Sequence, residues 1–120
     1  MRYWTEDEAR AALPRAALLV EVVRAASEQQ RGARSNGHGV APRVEPGTDL
    51  PTAEAALEEL GSLDVVVRDA GTGLVDFPAR SRSGRVYLLC WRSGEDDLRW
   101  WHFAEEGFAG RKPLPFTEDA

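Results

Sequence analysis

The chain has 120 residues, of which 42% are apolar and 29% charged, as is ordinary for one globular domain. Its net charge of -5 argues against nucleic acid as a partner, because no basic field would attract a phosphate backbone. The single cysteine, Cys90, excludes an intramolecular disulfide and a multi-cysteine zinc site.

The first residues contain no apolar core of signal-peptide length, and no apolar run approaches the ~20 residues needed to cross a bilayer. We therefore expect a cytoplasmic protein with no membrane partner. One domain over residues 1–120 is predicted, with a helical part at 5–60, a sheet at 64–104 and an irregular tail at 105–120.

The first predicted element is an amphipathic helix that begins with a capping box, Thr5-Glu6-Asp7-Glu8, in which Thr5 and Glu8 satisfy each other's amides. Apolar residues then recur in steps of three and four, which predicts a broad apolar face. Pro14 predicts either a break into two helices or one kinked helix, since proline removes a backbone donor. The helix is expected to end near Gly32.

A second, shorter helix is predicted from Asp49 to Leu60, with Asp49 as its cap and Gly61 as its stop. The residues between the helices, Gly32 to Leu50, are polar and rich in glycine and proline, which predicts a long loop. His38 lies in this loop and is interpreted as a surface histidine.

Beyond Asp64 the apolar period changes from 3.6 to 2, which predicts strands. The predicted strands are Val65–Val67, Leu74–Phe77, Arg85–Arg92 and Leu98–Phe103. Pro78 should end or bulge the second strand. Because the connections are short, we predict a four-stranded antiparallel meander, packed against an N-terminal helical hairpin in an α+β fold.

Both faces of this sheet are predicted to be apolar. In the third strand Leu88 and Cys90 point one way while Leu89 and Trp91 point the other, and the neighbouring Trp100 and Trp101 must also face opposite sides. Two helices can cover one face only. The second face needs either a second copy of the chain or a tail that folds back through Phe108 and Phe116. We predict a homodimer, or a higher oligomer, joined partly through this face.

Several short motifs occur in order along almost the whole chain: "RYWTEDEARAALP", "GLVDFPA", "CWRSGE", "WWH" and "GFAGRKPL". In these motifs the chain resembles a bacterial family known as domain of unknown function 2203. Members of that family often carry a longer, more continuous helical hairpin than the loop and short helix expected here. The resemblance implies a fold and leaves the function open.

Asp76 and His102 are the candidate catalytic residues. If the turns pair Asp76 with Trp91 and Trp91 with Trp100, then both side chains lie on one face, although a slip of one residue in either turn would separate them. The aspartate could orient the histidine, the two could bind a metal, or Asp76 could form a structural bond or salt bridge. Since an unpaired carboxylate in an apolar strand is costly, we predict an arginine or a backbone amide as its partner.

The remaining candidates are residues for a ligand or an interface: Trp91, Trp100, Trp101, Arg92, Glu95 and Arg111. Cys90 is expected to be buried and unreactive, as a small hydrophobic residue within a strand. No cofactor and no metal site is assigned. The first interpretation is a small interaction or oligomerisation module of unknown biochemical function. The alternative is a small-molecule or metal-binding protein, or a hydrolase-like enzyme that uses Asp76 and His102.

Overall fold

The computed structural model describes residues 2–36 and 50–118. A long helix α1 (Glu6–Asn36) and a short helix α2 (Ala53–Ser62) precede an antiparallel sheet whose strands lie side by side in chain order. The strands are β1 (Val66–Asp69), β2 (Leu74–Arg80), β3 (Val86–Arg92), β4 (Trp100–Phe103) and β5 (Lys112–Pro113). The α+β class and the meander are confirmed. The hairpin is one long and one short helix, and the sheet has five strands rather than four.

Helix α1 begins as predicted, and of the two alternatives at Pro14 the break is wrong, because a single helix runs through it. The Thr5 amide donates to Glu8 Oε1 at 3.0 Å and the Glu8 amide donates to Thr5 Oγ1 at 3.1 Å, which confirms the capping box. The helix continues through Pro14, which lies on its exposed side, where water can satisfy the carbonyl oxygen of Arg10. It ends at Asn36 instead of Gly32.

Helix α2 begins and ends later than its sequence suggests. Thr52 is the cap, since its side chain accepts from the amide of Ala55 at 3.1 Å. The proposed cap Asp49 and the histidine His38 lie outside the described residues. Gly61 is still helical, and the left-handed position falls at Asp64, with φ of 60°.

Strand β2 passes straight through Pro78, contrary to the prediction of an end or a bulge. Strand β1 pairs with β2 only as far as Asp76, so Pro78 lies where no ladder donor is required on that side. Its carbonyl oxygen accepts instead from the amide of Trp4 at 2.7 Å. The tail, expected to be irregular, forms a short 3-10 helix at Phe108–Gly110 and then adds β5 beside β4.

The core lies between the helices and one face of the sheet, which we call the near face. It is formed by alternating strand residues: Val75, Phe77, Leu89, Trp91 and Trp101. The opposite, far face carries Asp76, Pro78, Leu88, Cys90, Trp100 and His102. Trp100 and Trp101 therefore face opposite sides, as predicted.

The tail contributes to both faces of the sheet. Phe116 stacks on Tyr87 with ring centroids 3.7 Å apart and packs against Trp101, on the near face. Phe108 lies on the far face, where the Arg111 guanidinium is 4.7 Å from its ring and 5.1 Å from that of Trp100. The predicted cover by Phe108 and Phe116 is therefore divided between the two faces.

Candidate metal centre

The strand register brings the two predicted catalytic residues together on the far face. Asp76 is opposite Cys90 rather than Trp91, and Cys90 rather than Trp91 is opposite Trp100. The register across each turn therefore differs from the prediction by one residue. The two differences cancel between β2 and β4. His102 still shares a face with Asp76, and the shift places Cys90 between them.

Three titratable side chains meet there in the protein interior. His102 Nε2 lies 3.2 Å from Asp76 Oδ1 across the intervening strand β3. Asp76 and Cys90 are each 1% exposed and His102 is 4% exposed. One ligand atom from each residue lies within 4.8 Å of the other two. In the described part of the chain, this is the one cluster of at least three histidine, cysteine or carboxylate groups spaced to hold a metal ion.

Both ring nitrogens of His102 face acceptors. Nδ1 lies 2.9 Å from the carbonyl oxygen of Phe103, and Nε2 faces the Asp76 carboxylate. Without a metal, this arrangement favours the imidazolium, which donates from both nitrogens. The hydrogen bond with Asp76, followed by that with Cys90, raises the pKa of His102 to about 10.

Asp76 has the arginine partner that its burial requires. Arg68, the extra residue of a β-bulge in β1, donates from Nε to Asp76 Oδ2 at 2.7 Å. Burial on its own would raise the pKa of Asp76, but the hydrogen bonds from His102 and Arg68 lower it below the ordinary value. One oxygen of Asp76 therefore faces Arg68 and the other faces His102.

A pocket of about 210 Å³ opens above the cluster. Asp76 and His102 line it together with Arg68, Glu106 and Phe108. Glu106 is itself fixed, because its Oε1 accepts from the amide of Phe103 at 3.0 Å and from Lys112 Nζ at 2.6 Å. The pocket therefore borders the buried cluster at Asp76 and His102.

The residues proposed for a ligand or an interface occupy different surroundings. Trp91 and Trp101 are buried in the core, whereas Trp100 is half-buried on the far face. Arg111 donates to Glu95 Oε1 at 2.7 Å and to the carbonyl oxygen of Cys90 at 3.3 Å. Arg92 is exposed, with its guanidinium 5.4 Å from the Phe108 ring. The Arg111–Glu95 ion pair therefore braces the strand that carries Cys90.

Three contributors to the site were missed from the sequence. Cys90 was interpreted as a hydrophobic residue, and only the register shows that its thiol joins Asp76 and His102. Arg68 lay just beyond the predicted end of the first strand. Glu106 lay in a tail expected to be irregular. The spacing of Arg68 was a useful signal, because Arg68 lies two residues after Val66. Residues two apart in a strand point to the same face of the sheet.

Fold and site together define an α+β protein with a buried Asp-Cys-His cluster beneath a small pocket on the far face of a five-stranded sheet. The model of the DUF2203 family, described as an uncharacterized conserved protein, matches residues 2–114, and the chain belongs to that family. No curated protein and no solved structure matches the chain. None of the described helices is long and apolar enough to cross a membrane.

Proposed function

We propose that the protein binds one divalent transition-metal ion, with Zn²⁺ as the preferred ion, through Asp76, Cys90 and His102. The observation that carries this proposal is the convergence of their ligand atoms within 4.8 Å. Ligand atoms at zinc bond lengths of about 2.0–2.3 Å lie roughly 3.3–3.8 Å apart in a tetrahedron. The side chains need to close by only about 1 Å to meet that geometry.

The hydrogen bonds around the cluster are those that orient metal ligands. A histidine that binds a metal through one nitrogen commonly donates from the other to a backbone carbonyl, as His102 Nδ1 does to Phe103. A ligating carboxylate is commonly held by a second hydrogen bond, which Arg68 supplies to Asp76 Oδ2. Both interactions leave Asp76 Oδ1 and His102 Nε2 directed towards each other.

The same geometry disfavours a nucleophilic triad. In such a triad the carboxylate and the nucleophile contact opposite nitrogens of the histidine. Here the Phe103 carbonyl occupies Nδ1, so Nε2 is the nitrogen left for both Asp76 and Cys90. Ligand atoms that converge on one point suit a metal better than they suit a proton relay.

The ligand types favour zinc. A thiolate and an imidazole suit Zn²⁺, whereas Mg²⁺ and Ca²⁺ prefer oxygen ligands. Three protein ligands leave a fourth zinc position for water or another small ligand, as in catalytic rather than structural zinc sites. Because Asp76 and His102 line the pocket, that position would be accessible from it.

Cobalt substitution tests the proposal directly. The chelator-treated protein is titrated with Co²⁺, and a thiolate-to-cobalt charge-transfer band is monitored in the near ultraviolet. Cys90 is the single cysteine, so such a band can arise from that residue alone. We expect one equivalent of Co²⁺ to produce the band, Zn²⁺ to abolish it, and Cys90→Ser to remove it.

Glu105→Gln is the matched control, because Glu105 is an exposed carboxylate paired with Arg85, outside the pocket lining and the Asp76–Cys90–His102 cluster. It should bind Co²⁺ like the parent, whereas Asp76→Asn and His102→Gln should bind it at least tenfold more weakly. Failure of the parent to bind, or equal affinity in all variants, would show that the cluster is a structural ion pair.

A further inference from the structure

We infer that the metal centre binds a small carboxylate in the pocket above it, with the carboxylate directed to the metal and to Arg68. The inference rests on the proposed metal site and adds the class of its ligand. It is carried by the composition of the pocket, which combines a guanidinium beside the metal ligands with apolar lining residues.

Arg68 has donors available for such a ligand. Its side chain is 49% exposed, and its Nε alone contacts Asp76. Within residues 2–36 and 50–118, its terminal nitrogens donate to no other group. A guanidinium presents planar, paired donors that match a carboxylate, and here it is held beside the cluster by its bond to Asp76.

The charge of the occupied site favours a monoanion. Zn²⁺ with the Asp76 carboxylate, the Cys90 thiolate and a neutral His102 has no net charge. Glu106 Oε1 lies 2.6 Å from Lys112 Nζ, and this ion pair also has no net charge. Arg68 is left as the unbalanced positive charge of the pocket lining, and a monoanion would balance it.

The volume and the apolar lining of the pocket limit the rest of the ligand. A volume of about 210 Å³ is below the ~300 Å³ typical of the smallest pockets for drug-sized ligands. Leu74, Ala104 and Phe108 provide apolar lining, against which a short hydrocarbon chain can pack. A short-chain aliphatic carboxylate fits both limits.

The test uses the cobalt-loaded full-length protein and its visible d–d absorption. Butyrate is titrated against butyramide, which has the same shape without the charge, and against inorganic phosphate. We expect butyrate to shift the bands saturably, butyramide to leave them unchanged, and phosphate to bind more weakly than butyrate. Arg68→Gln should weaken butyrate binding at least tenfold, and Arg68→Lys should restore part of it.

Arg92→Gln is the matched control, because Arg92 approaches Phe108 but does not line the pocket. It should leave butyrate binding unchanged. The carboxylate inference is overturned if butyrate does not shift the bands, or if butyramide or phosphate binds as tightly as butyrate. It is also overturned if Arg68→Gln leaves the affinity for butyrate unchanged. Failure of Co²⁺ to bind, seen before any carboxylate is added, overturns the metal proposal and this inference together.

Discussion

His102 Nε2 lies 3.2 Å from Asp76 Oδ1, although the two residues belong to strands separated by β3. Both side chains are buried on the far face, and the guanidinium of Arg68 completes the group from β1. Cys90 in β3 also bonds His102, so four of the five strands contribute to one polar network in an otherwise apolar layer. Such a network specifies the strand register, because a slip of one residue would bury its members without partners.

Replacement of Asp76 by asparagine should destabilise the metal-free protein. The change removes the carboxylate that faces His102 and Arg68 and leaves a buried histidine without its charged partner. We expect the free energy of unfolding to fall by about 1–3 kcal/mol, the cost of an unsatisfied buried hydrogen-bonding group. Urea denaturation followed by tryptophan fluorescence measures it.

Asp96→Asn provides the control for that measurement. Asp96 also pairs with an arginine, Arg99, but its side chain is 81% exposed. Exposed pairs contribute little, so the stability of this variant should lie close to that of the parent. Equal stability of Asp76→Asn and the parent would mean that the carboxylate is not held by the buried pair.

The stability of the metal-free protein should fall as the pH rises from neutral towards 10. The folded protein raises the pKa of His102 from 6.5 to about 10, so the imidazolium contributes stability that is fully present below pH 6.5. That contribution is lost as the pH rises through the folded pKa. His102→Gln should flatten the profile between pH 6.5 and 10. Parallel profiles for the parent and variant would contradict the prediction.

The far-face cluster was only partly predictable from the sequence. Period-2 patterning located β3 closely and β2 with its end three residues too early, and it placed Asp76 and His102 on one face. Patterning cannot give the register across a turn, because one residue more or less in the loop shifts every pair. Both turns differed from the prediction by one residue, and the two shifts cancelled between β2 and β4. Asp76 and His102 therefore lie on one face as predicted, but the residue between them in β3 is Cys90 rather than Trp91.

Tertiary contacts explain the wrong element boundaries. Pro14 is tolerated in α1 because it lies on the exposed side, and Pro78 is tolerated in β2 because β1 ends before reaching it. Strand β5 has only two residues, Lys112 and Pro113, and it forms because β4 provides an edge for pairing. A local pattern contains none of these relationships.

Gly73, in the turn before β2, should tolerate no side chain. Its φ is +70°, and a Cβ placed there would lie 2.6 Å from Ser93 Cβ and 3.1 Å from Val20 Cγ1. Gly73→Ala would therefore incur both backbone strain and a clash beneath α1. We expect a loss of about 2–4 kcal/mol in the free energy of unfolding, measured by urea denaturation.

Gly94→Ala separates the two effects. Gly94 also has a positive φ, of +99°, but no atom lies within 4 Å of a Cβ built there. It should lose only the roughly 1–2 kcal/mol of backbone strain. An equal loss in the two variants would show that the close approach of Gly73 to Ser93 and Val20 does not contribute.

The adjacent tryptophans should respond differently to charge. Trp101 is 1% exposed, and its ring lies 4.9 Å from that of Phe103 and 4.6 Å from that of Phe116. Trp101→Glu should unfold the domain, because it places an unpaired carboxylate in the core. Trp100 is half-buried beneath Arg111, so Trp100→Glu should remain folded. Circular dichroism with thermal melting distinguishes the two outcomes, and a folded Trp101→Glu would contradict the near-face placement.

Trp100→Glu also tests the predicted homodimer. Asp76, Leu88, Cys90 and His102 are buried on the far face within a single chain, so their burial does not require a second copy. The half-buried Trp100 and the exposed Phe108 are far-face aromatic residues at which a second copy could still pack. Light scattering at micromolar concentration should give twice 13.2 kDa for the parent and a single chain for Trp100→Glu. A parent mass of 13.2 kDa would show that the fold is complete as a monomer, and an unchanged dimer in Trp100→Glu would place the interface elsewhere.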